Sequence, residues 1–595
     1  MQLSDELLEL LMQEISPEYR VINSKEGTPV FELNGYFTNS KYNPLNEARR
    51  FAESNFKENH IHVLLGIGAG YIAEELYQRI GAGERLLIIE PNVQLFEDAY
   101  EINGFSFTKD KEKVKTITGI PFEQMDNYLR VLVDKFNNRL QLLIAPNYEN
   151  IYPLFVKQVM MHIKELLMLQ TVKRNTLKTF YEGWQENFIS NLYNVFSSTP
   201  FSNLIGQIKS PIIIVSGGPS LKKHMDCIKE NRERLILLCA GSTINSLLAN
   251  NIKPDAIVSI DGGYENYKHF ENLGQLDVPI LYAPILHKDI LKVYQGRKIV
   301  FNQRGDFKNI NLIKNIIGYE IGRVSGGPSV ANFCLDIAMQ ITSGPICFVG
   351  QDLAYTNNSS HAEGNKRFKE ISEKDIKERK MFYTEGYYGE EVLTDFPLYS
   401  MKKTFEGYMK LCNSEESKRV YNCTEGGALI KGFTNIPFST FINEYCKTNV
   451  SDLFDSLLYK LEVKKEEEQW AELFYFVERE RNKSKKVNKL CKVAMNKLND
   501  ANRVPSKLNY DLLKQLDRLD EELMELLNNE FLNYLYGEIV FNINNYFLEK
   551  KNESESENQK RIFEKSYALY KGIYSATKKS IDWFNDLLER ISNQL

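Results

Sequence analysis

The chain has 595 residues, of which 43% are hydrophobic and 26% charged, a balance typical of folded domains and not of a disordered chain. At about 150 residues per domain, this length predicts roughly two to four domains. The net charge of −5, from 74 basic and 79 acidic residues, argues against a general polyanion binder, which would carry a large basic excess.

Targeting signals and cysteine pairs are both missing from the sequence pattern. No basic stretch precedes an apolar run after Met1, so we expect no signal peptide. No apolar run approaches the ~20 residues that a membrane-spanning helix needs. The eight cysteines form no C-x-x-C pair, which favours buried thiols in a reducing compartment. The sequence therefore predicts a cytoplasmic protein that binds neither membrane nor nucleic acid.

The first predicted domain spans residues 1–190 and mixes strands with helices. Its apolar run 62–65 leads into Gly66-Ile67-Gly68-Ala69-Gly70, and a second apolar run ends at Glu90. A strand that turns through glycines into a helix is typical of a Rossmann-like nucleotide or S-adenosylmethionine fold, in which Glu90 could bind ribose hydroxyls. Because a lone glycine motif is weak evidence for a ligand, we favour a Rossmann-like scaffold whose site is empty or unrelated.

The second predicted domain spans residues 191–440 and alternates short apolar strands with helices. Apolar strands separated by helices indicate a parallel sheet that is covered on both faces. Ligands of such sheets bind at the carboxyl ends of the strands. The predicted strands are 212–215, 235–238, 256–260 and 346–349, and a helix is predicted over 328–341.

A pentapeptide that occurs twice is the most informative feature of this domain. It reads Ser216-Gly217-Gly218-Pro219-Ser220 and again Ser325-Gly326-Gly327-Pro328-Ser329. The glycines let the backbone turn sharply and approach a ligand, and a proline at the first helical position loses no needed hydrogen bond. Free N–H groups at a helix start stabilise an anion by roughly 0.3–1 kcal/mol. Two copies favour a phosphate site over two unrelated strand–helix turns.

Polar residues follow the other predicted strands of this domain. Ser242 and Thr243 follow the second strand and Asp261 the third, where short polar groups can bind a ribose or a base edge. Asp352 and Tyr355 follow the 346–349 strand, and His361 lies in the loop after them. Asp352 is equally a candidate cap or turn residue, and His361 a solvated loop histidine.

The third predicted domain, residues 441–595, is helical and almost free of glycine. Leucines recur at spacings of four and three residues, which places them on one face of a helix. Pro505-Ser506 is typical of a helix start. We predict a bundle of long helices. The leucines of the clearest stripe are Leu512, Leu516, Leu519, Leu523 and Leu526.

Six short motifs between residues 211 and 432 together resemble the flagellin glycosyltransferases known as motility-associated factors (Maf), whose central domain is similar to bacterial sialyltransferases with CMP-activated donors. No single motif is specific, but their order is. The motifs are Gly217-Gly218-Pro219-Ser220-Leu221, Lys253-Pro254-Asp255 running into Ser259-Ile260-Asp261, Ser325-Gly326-Gly327-Pro328-Ser329-Val330-Ala331, Val349-Gly350-Gln351-Asp352-Leu353-Ala354, Ser360-His361-Ala362-Glu363-Gly364 and Thr424-Glu425-Gly426-Gly427-Ala428.

The resemblance implies a fold, a donor and an acceptor. The fold is a sialyltransferase-like α/β domain between an α/β Rossmann-like N-terminal domain and an all-α C-terminal bundle. The donor is a CMP-nonulosonic acid such as pseudaminic or legionaminic acid, and the acceptor is a serine or threonine hydroxyl of flagellin, for which the helical C-terminal domain is the candidate binding surface. By this likeness the first glycine loop, Ser242, Thr243 and Asp261 hold the nucleotide, and the second loop contacts the CMP ribose and phosphate.

The chemistry of such a transfer agrees with these residues. Cleavage of the sugar–phosphate bond leaves negative charge on CMP, which fixed N–H groups stabilise without reorganisation. The chain contains no Asp-x-Asp pair of the kind that holds a metal on a diphosphate donor. A monophosphate donor needs less charge neutralisation, so we expect a metal-independent enzyme with no cofactor.

Several residues are candidates for the general base, which removes the proton from the acceptor hydroxyl. The sialyltransferases place a histidine base beyond a mobile lid, but here no histidine follows His361. The base is His361, Asp352, Glu363 or another residue of the charged stretch 362–396, which is either a lid or a solvated loop. Tyr355 is a candidate hydroxyl donor to the leaving phosphate.

Two other function classes remain. Archaeal pterin diphosphokinases share a similar glycine-loop domain, and such an enzyme would need magnesium and ATP. The other alternative is a non-catalytic flagellin-binding or chaperone protein that retains an old fold.

Overall fold

The computed structural model describes residues 5–15, 17–273, 275–362, 368–502 and 510–595. They form two compact units: unit 1 comprises Met1–Thr179 and Val540–Leu569, and unit 2 comprises Phe180–Ile539 and Tyr570–Leu595. The three sequential domains stay a prediction. The helix start at Pro505-Ser506 lies outside the described residues. No helix in the described part of the chain is both long and apolar enough to cross a membrane.

Unit 1 contains an antiparallel sheet of three strands and a parallel sheet of four, in the order β6-β5-β4-β7. Strand β4 is apolar along its whole length and buried on both faces, as expected of an inner parallel strand. The strands are β1 (Tyr19–Asn23), β2 (Pro29–Leu33), β3 (Tyr36–Phe37), β4 (Ile61–Leu65), β5 (Arg85–Glu90), β6 (Val114–Thr118) and β7 (Leu140–Ile144). The helices are α1 (Asp5–Glu14), α2 (Pro44–Asn55), α3 (Tyr71–Tyr77), α4 (Val93–Asn103), α5 (Phe122–Lys135), α6 (Tyr148–Ile151) and the first part of α7 (Pro153–Ser197).

Unit 2 is built on nine parallel strands in the order β20-β19-β16-β9-β10-β11-β12-β13-β8. Two short pairs, β14-β15 and β17-β18, lie outside this sheet. The strands are β8 (Thr199–Pro200), β9 (Ile212–Val215), β10 (Ile236–Ala240), β11 (Ala256–Ser259), β12 (Ile280–Tyr282), β13 (Lys298–Val300), β14 (Asn302–Gln303), β15 (Arg323–Val324), β16 (Ile346–Val349), β17 (Phe382–Glu385), β18 (Glu391–Thr394), β19 (Val420–Asn422) and β20 (Thr434–Asn435).

Helices cover the large sheet, and long helices dominate the chain after residue 450. Helix α20 contains the predicted leucine stripe, in which Leu516 and Leu523 are buried. The mixed α/β fold with parallel sheets and a helical C-terminal region is thus confirmed. The helices are α8 (Met225–Glu230), α9 (Ile244–Ala249), α10 (Tyr264–Tyr267), α11 (Lys288–Val293), α12 (Phe307–Ile317), α13 (Val330–Ile341), α14 (Glu373–Glu378), α15 (Phe396–Leu411), α16 (Ser414–Ser417), α17 (Phe438–Tyr445), α18 (Leu453–Leu461), α19 (Glu467–Asn502), α20 (Tyr510–Leu527), α21 (Glu530–Tyr546) and α22 (Glu555–Ser592).

The strand order of the large sheet determines where a ligand crevice forms. The chain runs from β9 through β13 towards one edge, and then β16 and β19 are added on the other side of β9. The loops that leave β9 and β16 therefore diverge, which is the topological switch point where open α/β sheets bind ligands. Those two loops carry the first glycine motif and Asp352.

Candidate nucleotide site at the carboxyl edge of the large sheet

The parallel sheet gathers most of the predicted site residues at one edge. Val215 at the end of β9 lies level with Val349 of β16 on one side and with Cys239 of β10 on the other. Because all these strands point the same way, the loops that follow them emerge at the same edge. The first glycine loop, Ser242–Thr243, Asp261 and Asp352–Tyr355 all follow strands of this sheet, so they share that edge.

The first glycine loop is tied to the loop after β16. The N–H of Gly218 donates to the carbonyl of Gly350 at 2.8 Å. The N–H of Ser220 donates to both carboxylate oxygens of Asp352, at 3.2 and 3.3 Å, and its hydroxyl donates at 2.6 Å. Burial raises the pKa of Asp352, while these donations from Ser220 act in the opposite direction. The donors at Gly218 and Ser220 therefore already have partners, and the anion held by Ser220 is the protein's own carboxylate.

Gly350 allows this close approach of the two loops. Its φ is +69°, in the left-handed region, and an added Cβ would lie 2.3 Å from the carbonyl oxygen of Ser216. A side chain at this position would push the two strand ends apart.

The second glycine loop keeps its central donors free. The N–H of Ser325 donates to the buried carboxylate of Asp336 at 2.6 Å, and Ser329 caps α13 in a capping box with Asn332. The N–H groups of Gly326 and Gly327 have no hydrogen-bond partner in the described part of the chain. Of the two repeated motifs, the second thus offers two adjacent amides to an anion.

Helix α13 places this second loop at the carboxyl edge. The helix packs across β9, β10 and β11 and ends at Ile341, shortly before β16 begins at the amino edge. Its 12 residues span about 18 Å, so its N-terminus lies towards the opposite, carboxyl edge.

The residues predicted to hold the nucleotide after β10 and β11 differ in exposure. Thr243 is fully buried, and its hydroxyl, like that of the buried Ser246, has no partner among the described residues. Ser242 is half-buried. Asp261 is exposed, and its Oδ1 accepts the N–H of Gly263 at 2.8 Å. Two buried hydroxyls in this segment thus lack a partner among the described residues, and Asp261 exposes its carboxylate to solvent at the same edge of the sheet.

The hydroxyl of Tyr355 is already committed to a neighbour. It donates to Asp395 Oδ2 at 2.9 Å, and the guanidinium of Arg379 pairs with the same carboxylate. Burial and this hydrogen bond raise the pKa of Tyr355, so the phenol is neutral. In this arrangement Tyr355 braces the start of α15, whose N-cap is Asp395.

His361 lies beside the first glycine loop. The N–H of the next residue, Ala362, donates to the carbonyl of Gly217 at 2.9 Å, and His361 Nδ1 lies 3.2 Å from the hydroxyl of Ser360. The imidazole is half-buried. Glu363 falls in 363–367, outside the described residues.

The described part of the charged stretch 362–396 is folded. It forms α14 and the β17–β18 hairpin. The N–H of Tyr387 donates to the carbonyl of Gly427 at 2.8 Å, and its hydroxyl donates to the carbonyl of Asn422 at 3.1 Å. The interpretation as a plain solvated loop is therefore wrong for this hairpin, which is anchored on the last of the six motifs.

Two buried acids that position the site were missed by the sequence analysis. Asp336 accepts from Ser325, from Gln340 at 2.7 Å and from the hydroxyl of Tyr408 at 2.6 Å. Its signal was a lone acid in the otherwise apolar stretch 333–338. Asp395 carried no such signal, because its partners are distant in sequence. Among the described residues, no group of three or more His, Cys, Asp or Glu side chains is arranged to hold a metal.

In unit 1 the glycine motif after β4 is filled by the protein itself. The N–H of Ile67 donates to the buried Glu90 at 2.9 Å, that of Gly68 to the hydroxyl of Tyr148 at 2.9 Å, and that of Ala69 to Asn39 at 3.0 Å. Glu90 also accepts a hydrogen bond from the Tyr148 hydroxyl at 2.6 Å. Its carboxyl group is therefore bonded within the protein and is not open to the hydroxyls of a ribose. We expect S-adenosylmethionine to leave the melting temperature unchanged.

Glu90 should make the stability of unit 1 depend on pH. Burial raises its pKa from 4.5 to about 7. Because the native carboxyl holds its proton more tightly than the unfolded one, its contribution to stability is complete below pH 4.5 and is lost as the pH rises to about 7. We expect β4 and β5 to lose about 3 kcal/mol of opening free energy across this range.

Hydrogen-exchange mass spectrometry of the β4 and β5 amides measures this loss, since all three tryptophans lie in unit 2 and do not report on unit 1. The Glu90→Gln variant cannot titrate and should show a flat profile after correction for intrinsic exchange. The same slope in both proteins would contradict the assignment.

Comparison with known proteins identifies partial relatives in sequence. Residues 186–358 match the family model of 6-hydroxymethylpterin diphosphokinase MptE-like proteins. An uncharacterized protein of Treponema pallidum (strain Nichols) is 26% identical over 218 residues, 36% of this chain and 73% of the relative. A 6-hydroxymethyl-7,8-dihydropterin pyrophosphokinase of Methanocaldococcus jannaschii is 26% identical over 170 residues, 28% of this chain and 68% of the relative.

A solved structure matches nearly the whole chain. The MAf glycosyltransferase from Magnetospirillum magneticum AMB-1 superimposes with a TM-score of 0.62 at 14% sequence identity, covering 98% of this chain and 95% of that one. The similarity extends over both units and is not confined to the six motifs. The resemblance in the motif order is thereby confirmed at the level of the fold: this chain has the fold of a Maf glycosyltransferase.

Proposed function

We propose that the protein is a glycosyltransferase that transfers a nonulosonic acid of the pseudaminic or legionaminic type from a CMP donor to serine or threonine hydroxyls of flagellin, in the cytoplasm. The observation that carries this proposal is the pair of free backbone amides at Gly326 and Gly327. They lie at the carboxyl edge of the large sheet, in a chain that has the Maf fold. Two adjacent N–H groups match a phosphate that gains charge as it departs.

The other residues either contact the ligand or support the loops. The exposed carboxylate of Asp261 and the half-buried Ser242 contact the cytidine, while Thr243, beside Ser242 in the segment that follows β10, is buried. His361 is the proposed base, since it is half-buried beside the first glycine loop and an imidazole nitrogen is a common proton acceptor in catalysis. Asp352 positions the first loop and does not act as the base, because its carboxylate is buried against Ser220.

We propose that the transfer needs no metal. The loop amides supply the charge stabilisation that a divalent ion gives in diphosphate-dependent enzymes, and CMP leaves with a single phosphate. We expect EDTA to leave the transfer rate unchanged when CMP release is followed by liquid chromatography. A rate abolished by the chelator and restored by manganese would contradict this.

A pterin diphosphokinase-like activity is the second candidate, favoured by the family-model match over 186–358 and by the M. jannaschii relative. Both matches are confined to part of the chain and leave unit 1 and the long helices without a role. Incubation with ATP, magnesium and 6-hydroxymethyl-7,8-dihydropterin tests it, since AMP release would support this reaction over glycosyl transfer.

The intact mass of flagellin produced with and without this chain tests the main proposal. Coexpression in cells that make the CMP-nonulosonic acid should add one or more nonulosonic acid masses. Coexpression with Gly327→Val is the matched negative control. An unchanged mass with the wild-type chain, at normal flagellin binding, would instead favour a non-catalytic flagellin-binding protein.

A further inference from the structure

Unit 1 carries an open apolar groove that has no part in the site described above. Its cavity volume is about 880 Å³, and it runs between the first half of α7 and β7, the edge strand of the four-stranded sheet. We call it the methionine groove. Its methionines are Met160, Met161 and Met168, and its charged lining residues are Glu149, Lys157 and Lys164.

The apolar side chains of this groove face solvent to an unusual degree. Met160 and Met161 are each 44% exposed, Met168 is 55% and Val172 is 64% exposed, whereas Val156 and Ile163 beside them are buried. They recur along α7 at helical spacing and form one stripe. A contiguous apolar patch of this kind marks an interaction surface, and flexible methionines suit a protein partner.

The charges in the groove specify the partner. Lys157 and Lys164 are both exposed and make no ion pair with any described residue, and Glu149 is the one acid among the lining residues. The two lysines are seven positions apart, which is about two helical turns on the same stripe, or about 10 Å. A complementary surface therefore carries apolar side chains flanked by carboxylates with the same spacing.

The shape of the groove favours a helix as the occupant. From Pro153 to Val172 the groove follows α7 for about 28 Å, the length of a five-turn helix. A concave channel does not match the plane of a bilayer. A second copy of this chain docked by two-fold symmetry would bring the lysines of one groove towards those of the other.

We propose that the methionine groove binds an acidic amphipathic helix of the protein acceptor, with carboxylates seven residues apart beside its apolar face. The inference takes flagellin as acceptor from the proposed function. It differs from flagellin recognition by the helical C-terminal region, which is divided between units 1 and 2. Deletion of 450–595 would strip buried side chains from both units, whereas the groove can be altered by exposed substitutions.

Binding of purified monomeric flagellin to the full chain, measured by biolayer interferometry, tests the groove. We expect the double variants Met160→Glu/Met168→Glu and Lys157→Glu/Lys164→Glu each to raise the Kd for flagellin by about tenfold or more. The effect of the lysine reversal should shrink at high salt, and that of the methionine variant should not. Val131→Glu, at an apolar residue of α5 that is 69% exposed and outside the groove, is the matched control and should bind like wild type.

The same variants separate this inference from the proposed function. Release of CMP from the donor without acceptor should match wild type in both groove variants, and Gly327→Val should bind flagellin but not release CMP. If wild type releases no CMP while the groove variants still lose flagellin binding, the proposed function fails and the groove assignment holds.

Several results would overturn the groove assignment. One is flagellin affinity that is unchanged in both groove variants, and another is a wild-type protein that does not bind flagellin. A sedimentation coefficient that differs between wild type and the groove variants would instead show self-association. Groove variants that lose binding to anionic vesicles but keep binding to flagellin would instead show a membrane surface. Circular dichroism melts that match wild type confirm that the variants are folded.

Discussion

Gly327→Val should abolish turnover of a CMP donor while leaving the chain folded. An added Cβ would lie 2.6 Å from Cγ2 of Thr404 and 2.7 Å from Oδ1 of Asn332, the partner of Ser329 in the capping box of α13. To make room for the branched side chain, the loop must shift against Thr404 and Asn332, which moves the two free amides out of place. Removal of one preorganised oxyanion donor lowers kcat by about 100- to 1,000-fold, so displacing both should lower it at least as far.

The measurement is CMP release under single-turnover conditions, with a thermal melt for stability. Gly407→Ala is the control, because Gly407 lies in α15 and an added Cβ meets nothing within 4 Å. That variant should keep full activity and gain roughly 0.5–1 kcal/mol of stability. Normal CMP release by Gly327→Val would show that the phosphate binds elsewhere and would remove the main support for the proposed function.

Asp352→Ala should cost about 2–4 kcal/mol of stability in unit 2, because it leaves the N–H and hydroxyl of Ser220 buried without an acceptor. Urea unfolding followed by tryptophan fluorescence measures this loss. Asp352→Asn keeps the shape and one acceptor, so its loss should be smaller, about 1–2 kcal/mol.

A double-mutant cycle distinguishes a positioning role from an acid–base role. Ser220→Ala combined with Asp352→Asn should show a coupling of about 1–3 kcal/mol, because the two residues share one hydrogen-bond network. If Asp352 only positions the first glycine loop, transfer by Asp352→Asn should fall with stability and keep the pH profile of the wild type. Loss of transfer at full stability, with an altered pH profile, would identify Asp352 as the base.

The local sequence pattern was enough to predict the strands that are buried on both faces. The predicted strands 212–215 and 346–349 match β9 and β16, because an apolar run between turn residues has few alternatives in a covered parallel sheet. The predicted strand 235–238 is displaced, since β10 is Ile236–Ala240. Short edge strands such as β8 and β20, of two residues each, carry too little pattern to be seen.

The partners of the glycine loops could not be inferred from spacing. Asp352 lies 132 positions from Ser220, and Tyr148 lies 80 positions from Gly68. Identical pentapeptides predict the same role, yet the N–H of Gly218 in the first copy donates to Gly350, while the equivalent N–H of Gly327 in the second copy has no partner among the described residues. Strand order decides this difference, because it determines which segment meets each loop.

The amino-acid sequence by itself determined the parallel α/β class, the helical C-terminal region, the two glycine loops and the family whose fold the chain has. These features depend on side-chain periodicity and on backbone freedom at glycine and proline, which act over a few residues. Only the tertiary structure decided that Asp336, Asp352 and Glu90 hold the glycine loops, that Tyr148 fills the Rossmann-like site, and that α7 leaves an apolar groove open. Those outcomes depend on contacts between distant segments, because burial and hydrogen bonding are settled by what packs against a residue and not by its neighbours in sequence.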